Sequence, residues 1–154
     1  MEASTETAVR REIAIAARPE TVWEFLVQPE KATRWMGKAA SLDPRPGGEY
    51  RVEVISGNVA LGEFVEVDPP HRLVWTWGWT DESQSPVPVG STRIEVELEP
   101  DGDGGTLLRF THGGLPDADA TAKHAHGWDH YLERLGIAAR GDDPGRDTWL
   151  DQMT

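Results

Sequence analysis

DADATAKHAHGWDHYLERLGIAA, residues 117–139, is the longest helical pattern in the chain. With Trp128 as origin and about 100° per residue, Thr121, His124, Ala125, Tyr131, Leu132, Leu135 and Ala139 fall within roughly 60° of it. Asp129, Glu133, Arg134, His126 and His130 fall on the sides or back. The result is one wide apolar stripe on a helix of about six turns. A single helix cannot bury such a stripe alone, and most of the remaining chain alternates as strands do. The expected architecture is therefore a sheet curled around this helix. The stripe also carries polar tips, from His124, Tyr131 and the Trp128 indole, which suit a cavity wall better than a dry core.

Working outward, residues 10–17 (RREIAIAA) set Arg11, Ile13 and Ile15 against Glu12, Ala14 and Ala16, the pattern of a half-buried strand. Pro19 and Glu20 then open a helix whose expected inner stripe is Val22, Trp23, Leu26 and Val27. Pro29 breaks it and starts a second short helix that presents Ala32, Trp35 and Met36 and stops at Gly37. After a loop over 43–48, alternation predicts strands at 49–55, 59–67, 71–79, 92–99 and 106–112. Turns are expected at 56–58, 68–70 and 101–105, a polar loop at 80–90, and a possible bulge at Gly62. Short connections between successive strands make the sheet an antiparallel meander. Leu73, Trp75, Trp77 and Trp79 share one face, as do Ile94, Val96 and Leu98, and as do Leu108, Phe110 and His112. The fold class is α+β: a curved antiparallel sheet of six to seven strands around a long C-terminal helix, with two short helices after the first strand. Residues 1–8 read as a flexible N-terminus, 9–139 as one domain, and 140–154 as a polar tail with one apolar pair, Trp149 and Leu150.

Composition narrows the function. At 154 residues the chain matches one domain able to bury about 70% of its unfolded surface. No apolar run approaches the roughly 18 residues that span a bilayer, and no charged-then-apolar leader pattern opens the sequence. The absence of cysteine removes disulfides, thiolate nucleophiles and thiolate metal sites, and makes the cytoplasm the default location. A net charge of −12 repels phosphates, so neither nucleic acid nor an anionic membrane is an expected partner. Seven tryptophans exceed the needs of an ordinary core and point to a lined pocket or an interface.

Four segments together resemble a known family: IAIAARPETVWEFLVQPEKATRWMG, GEFVEVDPPHRLVWTW, STRIEVELEPDGDGGTLLRFTHGGL and HGWDHYLERL. They resemble the START-like helix-grip superfamily, the group with the birch-pollen-allergen fold. The branch they are most similar to is the activator of heat-shock protein 90 ATPase homologue-like one, over residues 9–139. The resemblance implies the helix-grip fold. Related branches bind lipids, sterols or polyketides in the cavity, and a few cyclise polyketides. The family also includes a eukaryotic co-chaperone domain, whose additional N-terminal domain this sequence does not contain.

The candidate ligand-binding residues are Trp35, Tyr50, Trp75, Trp77, Phe110, His112, His124, Trp128 and Tyr131. A neutral imidazole at His112 or His124 could orient a polar ligand group or exchange a proton near pH 7; the plainer and favoured alternative is a histidine satisfied by a backbone carbonyl. No nucleophile or inward carboxylate pair accompanies them, so no catalytic residue is assigned. His126 and His130 share a helix face at a zinc-compatible spacing, beside Asp129 and Glu133, but His124 projects away, and no metal site or cofactor is assigned. DGDGG at 101–105 lacks the acid that would complete a calcium loop, and Gly47-Gly48 lacks the lysine and helix of a phosphate cradle. Glu66 shares the parity of Phe64, which an intervening bulge would reverse. The expected function is binding of a small hydrophobic or aromatic ligand, compatible with a homodimer. The alternatives are a chaperone-linked interaction module and, more weakly, a cyclase-like enzyme.

Overall fold

Alternating apolar residues dictate the sheet. The structure is a computed structural model that describes residues 7–55, 57–81 and 86–151. Residues 1–6 of the expected flexible N-terminus, Ser56 of the expected turn, 82–85 of the polar loop and 152–154 of the tail lie outside the described residues. In chain order the elements are β1 (Val9–Ile15), α1 (Pro19–Val27), α2 (Pro29–Ala32), β2 (Ala39–Leu42), β3 (Glu49–Ile55), β4 (Asn58–Asp68), β5 (Arg72–Trp77), β6 (Thr92–Asp101), β7 (Gly105–Gly113) and α3 (Ala118–Ala139). A short 3-10 turn, Thr148–Asp151, follows. One seven-stranded sheet runs β1-β7-β6-β5-β4-β3-β2, antiparallel throughout. Its inward residues (Tyr50, Val52, Phe64, Leu73, Trp75, Ile94, Val96, Leu108 and Phe110 among them) meet the stripe of α3 in a single core. This is the expected α+β helix-grip arrangement.

Four details depart from the sequence reading. The first is β2, a four-residue edge strand whose Ala-Ala-Ser-Leu carries too little alternation to be seen; it pairs with β3 from Ala39 opposite Glu53 to Leu42 opposite Tyr50. In α1 the buried residues are Pro19, Val22, Phe25 and Leu26, whereas Trp23 and Val27 are half-buried. The i, i+3, i+4 set starting at Val22 is the one that fits the crease, so Phe25 takes the place expected for Trp23.

The bulge in β4 lies between Phe64 and Glu66, not at Gly62. It turns Glu66 outward, where its carboxylate meets the Arg72 guanidinium at 3.2 Å. Gly62 is glycine for another reason: a Cβ there would come within 2.0 Å of the Thr76 carbonyl oxygen. The fourth departure concerns α3, whose buried face holds Ala120 and Ala138 besides His124, Trp128, Tyr131, Leu132, Leu135 and Ala139. Thr121 and Ala125 are only half-buried. The stripe is thus centred slightly towards the His124–Tyr131 side, because those larger side chains claim the space under the sheet.

The start of α3 follows from Asp117, whose carboxylate accepts from the Ala120 backbone N–H at 2.8 Å. Loss of that cap in Asp117→Ala should cost about 1 kcal/mol of stability. An unchanged urea midpoint would mean the helix does not need it.

The outer sheet face is an ion-pair lattice. Arg72 contacts Glu66, Glu95 and Glu97, while Arg109 bridges Glu12 and Glu99. Val74 is fully buried on that outward side, between its cross-strand neighbours Glu66 and Glu95, both held by Arg72. The aliphatic stems of these long side chains provide such cover while their charges stay in water.

Candidate functional site

β-strand parity places a set of aromatic rings on the inner side of the sheet, where they pack with α3 in the core. Tyr50 of β3 stacks on Trp75 of β5 with centroids 5.0 Å apart and lies 6.0 Å from Trp77. Trp77 lies 5.1 Å from Trp128 of α3 and 5.8 Å from His112 of β7, and Phe110 lies 4.5 Å from Trp128. His112 and His124 meet edge to face at 5.1 Å. Seven of the nine candidate residues, Tyr50, Trp75, Trp77, Phe110, His112, His124 and Trp128, therefore form one continuous cluster.

The other two lie elsewhere. Trp35 is buried in the corner between α1 and α2, where its indole donates to the Phe25 carbonyl at 2.8 Å. Tyr131 is buried facing the segment after α3, with ring contacts to His130 and Trp149.

The hydrogen bonds of the two histidines fix their tautomers. The Thr92 hydroxyl donates to the Trp77 carbonyl at 2.7 Å, so its single proton is used. His112 Nε2, 2.8 Å from the Thr92 oxygen, must then carry a proton and donate it. His112 Nδ1 is left to accept from the Trp128 indole N–H at 3.0 Å. His124 is the reverse: Nδ1 donates to the Ala120 carbonyl at 2.8 Å, and Nε2 accepts from the Trp79 indole at 3.0 Å. Both rings are neutral with both nitrogens occupied. Burial, helped by the neighbouring His124, holds His112 well below the ordinary histidine range. Burial likewise lowers His124, against the opposing hydrogen bond to Ala120. Proton exchange by either ring would first require breaking an indole–imidazole bond.

Sequence reasoning missed Thr92 and Trp79 as the partners that hold these rings. Trp79 could have been found, since it shares the parity of Trp75 and Trp77 and extends β5 through a bridge to Ala60. Thr92 opens its strand and gave no signal of its own.

One donor in this cluster remains unused: the indole N–H of Trp77 is buried and has no acceptor among the described residues, whereas that of Trp75 is directed to the Tyr50 phenol oxygen. No carboxylate joins the ring cluster, and the Tyr50 phenol is pushed upward by burial, only partly offset by the Trp75 indole. The cluster is accordingly neutral, with one unused hydrogen-bond donor among the described residues.

A separate groove of about 520 Å³ runs outside this cluster, between β1 and α3, lined by Ile13, Ile15, Leu132 and Gly136 and bridged by an ion pair between Arg11 and Asp129. On the far side of α3, His130 Nε2 lies 3.0 Å from Asp147 and its ring stacks on Trp149, with His126 alongside. Among the described residues no group of three or more side chains could hold a metal ion, and no helix is long and apolar enough to cross a membrane.

Comparison with known proteins places this geometry. The AHSA1-like protein of Rhizobium etli has 48% sequence identity, with a TM-score of 0.73 over 92% of this chain and 87% of that one. The Aha1 dimer of Colwellia psychrerythraea shares the fold at 20% identity, with a TM-score of 0.74 over 87% of this chain and 96% of that one. An HSP90 activator of Plasmodium falciparum also shares it at 20% identity, with a TM-score of 0.70 over 85% and 94%. Comparison with the curated proteins gives no match. The model for "Activator of Hsp90 ATPase homolog 1-like protein" matches residues 16–139, from the end of β1 to the last residue of α3, and the chain belongs to that family.

Proposed function

We propose that the chain binds a small, neutral, largely apolar or aromatic ligand between the sheet and α3. The observation that carries this reading is the buried indole N–H of Trp77, which has no acceptor among the described residues. More than about nine in ten buried polar groups in folded proteins have a partner, so an unused donor among these rings suits an acceptor brought from outside. A carbonyl or ether oxygen on a flat apolar molecule answers that chemistry. A charged ligand does not, because nothing in the ring cluster carries a countercharge.

The contrasting reading, a chaperone-linked interaction module, would favour tryptophans gathered in an exposed patch. Among the described residues no tryptophan is exposed, and the exposed large hydrophobics are only Val65 and Val89. Homodimeric association is compatible with ligand binding, since the interior lies within one chain.

Nile red, a neutral dye with a carbonyl acceptor, tests the proposal. It should bind the native protein, quench tryptophan emission and move the indole N–H resonances of Trp75 and Trp77. Trp77→Phe should weaken binding roughly two- to tenfold, the worth of one neutral hydrogen bond. No dye binding, together with a native mass spectrum free of any co-purified molecule, would remove the basis for the reading.

A further inference from the structure

The chain that follows α3 crosses from that helix to β3. The 3-10 turn Thr148–Asp151 lies against β3, and Trp149 packs against the core. From there Trp149 reaches α3, stacking on His130 at 3.8 Å with the rings almost parallel. Asp147 is buried, and its Oδ1 accepts from the Trp149 backbone N–H at 3.0 Å and meets His130 Nε2 at 3.0 Å. Arg134 of α3 donates to the carbonyls of Pro144 at 3.1 Å and Gly145 at 3.0 Å, and to that of Trp35 at 3.1 Å. One arginine thus ties the crossing segment to α3 and to the α2 corner.

Two features make this attachment reversible. Gly141 and Gly145 have φ of 97° and 80°, with nothing within 4 Å of where a Cβ would stand, so the segment turns at two unpacked positions that other side chains would strain. The latch itself is incompletely satisfied: Asp147 Oδ2 and the Tyr131 hydroxyl are buried with no well-formed hydrogen bond beyond their approach to each other. Burial, then the adjacent Asp147 charge and a hydrogen bond to that carboxylate, push the Tyr131 phenol upward, so the two groups face each other in the latch. Water would satisfy both on opening, which offsets the packing that Trp149 gives up.

We propose that residues 142–151 form a hinged strap, latched by Trp149 and Asp147, that closes the entrance to the aromatic interior between α3 and β3. The strap's part in ligand entry rests on the ligand-binding reading; its control of access to the interior does not.

The test is Trp149→Ala in the full chain, followed by hydrogen exchange. The indole N–H groups of Trp75 and Trp77 should exchange at least about tenfold faster than in the parent, while backbone amides of β6 and β7 keep their rates, the signature of local rather than global opening. Nile red should also associate faster with the variant. Unchanged indole exchange overturns the strap, whatever the dye does. Equal acceleration of the β6 and β7 amides also overturns it, since Trp149 would then be a core residue and not a latch. Faster indole exchange with no dye binding to either protein upholds the strap and sinks the ligand reading alone. As a second variant, Asp147→Asn keeps the Trp149 stack and an acceptor for the Trp149 amide, and should show a smaller acceleration than Trp149→Ala.

Discussion

Trp128→Ala should remove most of the protein's stability. Truncating a buried tryptophan costs about 3–5 kcal/mol through lost burial and the cavity left behind. Here the indole also supplies the proton that His112 Nδ1 accepts, and leaving that nitrogen without a donor adds about 1–3 kcal/mol. Domains of this size are held by only about 5–15 kcal/mol, so the variant should be near the edge of folding. Urea unfolding followed by far-ultraviolet circular dichroism measures the loss. A midpoint like the parent's would mean that Trp128 does not pack in the ring cluster. Trp128→Phe separates the two contributions, keeping most of the ring volume and losing only the N–H.

Stability should also fall steeply as pH drops from 7 towards 5. In the unfolded chain each histidine takes up a proton near pH 6.5. In the folded chain His112 and His124 resist protonation, held below that value chiefly by burial. Below pH about 6.5 the unfolded state therefore binds more protons, and the stabilisation, complete above that pH, is lost as the pH falls towards the lowered folded values. The limiting slope is about 1.4 kcal/mol per pH unit for each histidine, or about 2.7 for the pair. Most carboxylates titrate below this window. His124→Gln preserves an acceptor for the Trp79 indole and should reduce the slope by about half. Stability constant between pH 7 and 5 would mean that the rings are accessible to protons in the folded state.

Much of this architecture was legible in the sequence, and the reason is periodicity. Strands such as 92–99, with Ile94, Val96 and Leu98 against Arg93, Glu95 and Glu97, carry a signal that nothing in the tertiary structure overrides. The aromatic cluster followed from the same parity. What could not be read is anything that depends on a third element. The roll of α1 was set by its crease, and the β4 bulge at Phe64–Glu66 left no local mark because the conspicuous glycine, Gly62, serves a close backbone approach instead. The histidines were legible as inward-facing and as satisfied by a backbone carbonyl, which His124 is through Ala120; their remaining partners, Thr92 and Trp79, are distant in sequence from both and were not. The role of the chain beyond α3 was hidden for a similar reason. A polar stretch around Asp147 reads as solvated until its partners, His130 and Arg134, are seen one and two turns away on the helix it returns to.

The pairing of β1 with β7 sets the order in which the molecule can assemble. Thr106 bonds to the Ala17 carbonyl across 89 positions, and Arg11 reaches Asp129 across 118. The strands between are neighbours in both chain and sheet and can zip as hairpins, β5 to β6 across the longer loop 78–91. The first strand, by contrast, has no partner until β7 exists and nothing to lie against until α3 follows. Loop-closure entropy over such distances slows folding. On the ribosome, β1 therefore waits through the synthesis of nearly the whole domain as an unpaired segment carrying Val9, Ile13 and Ile15. That waiting period is when the nascent chain is most open to chaperones and to aggregation, and the charges along the strand at Arg10, Arg11 and Glu12 are its protection meanwhile.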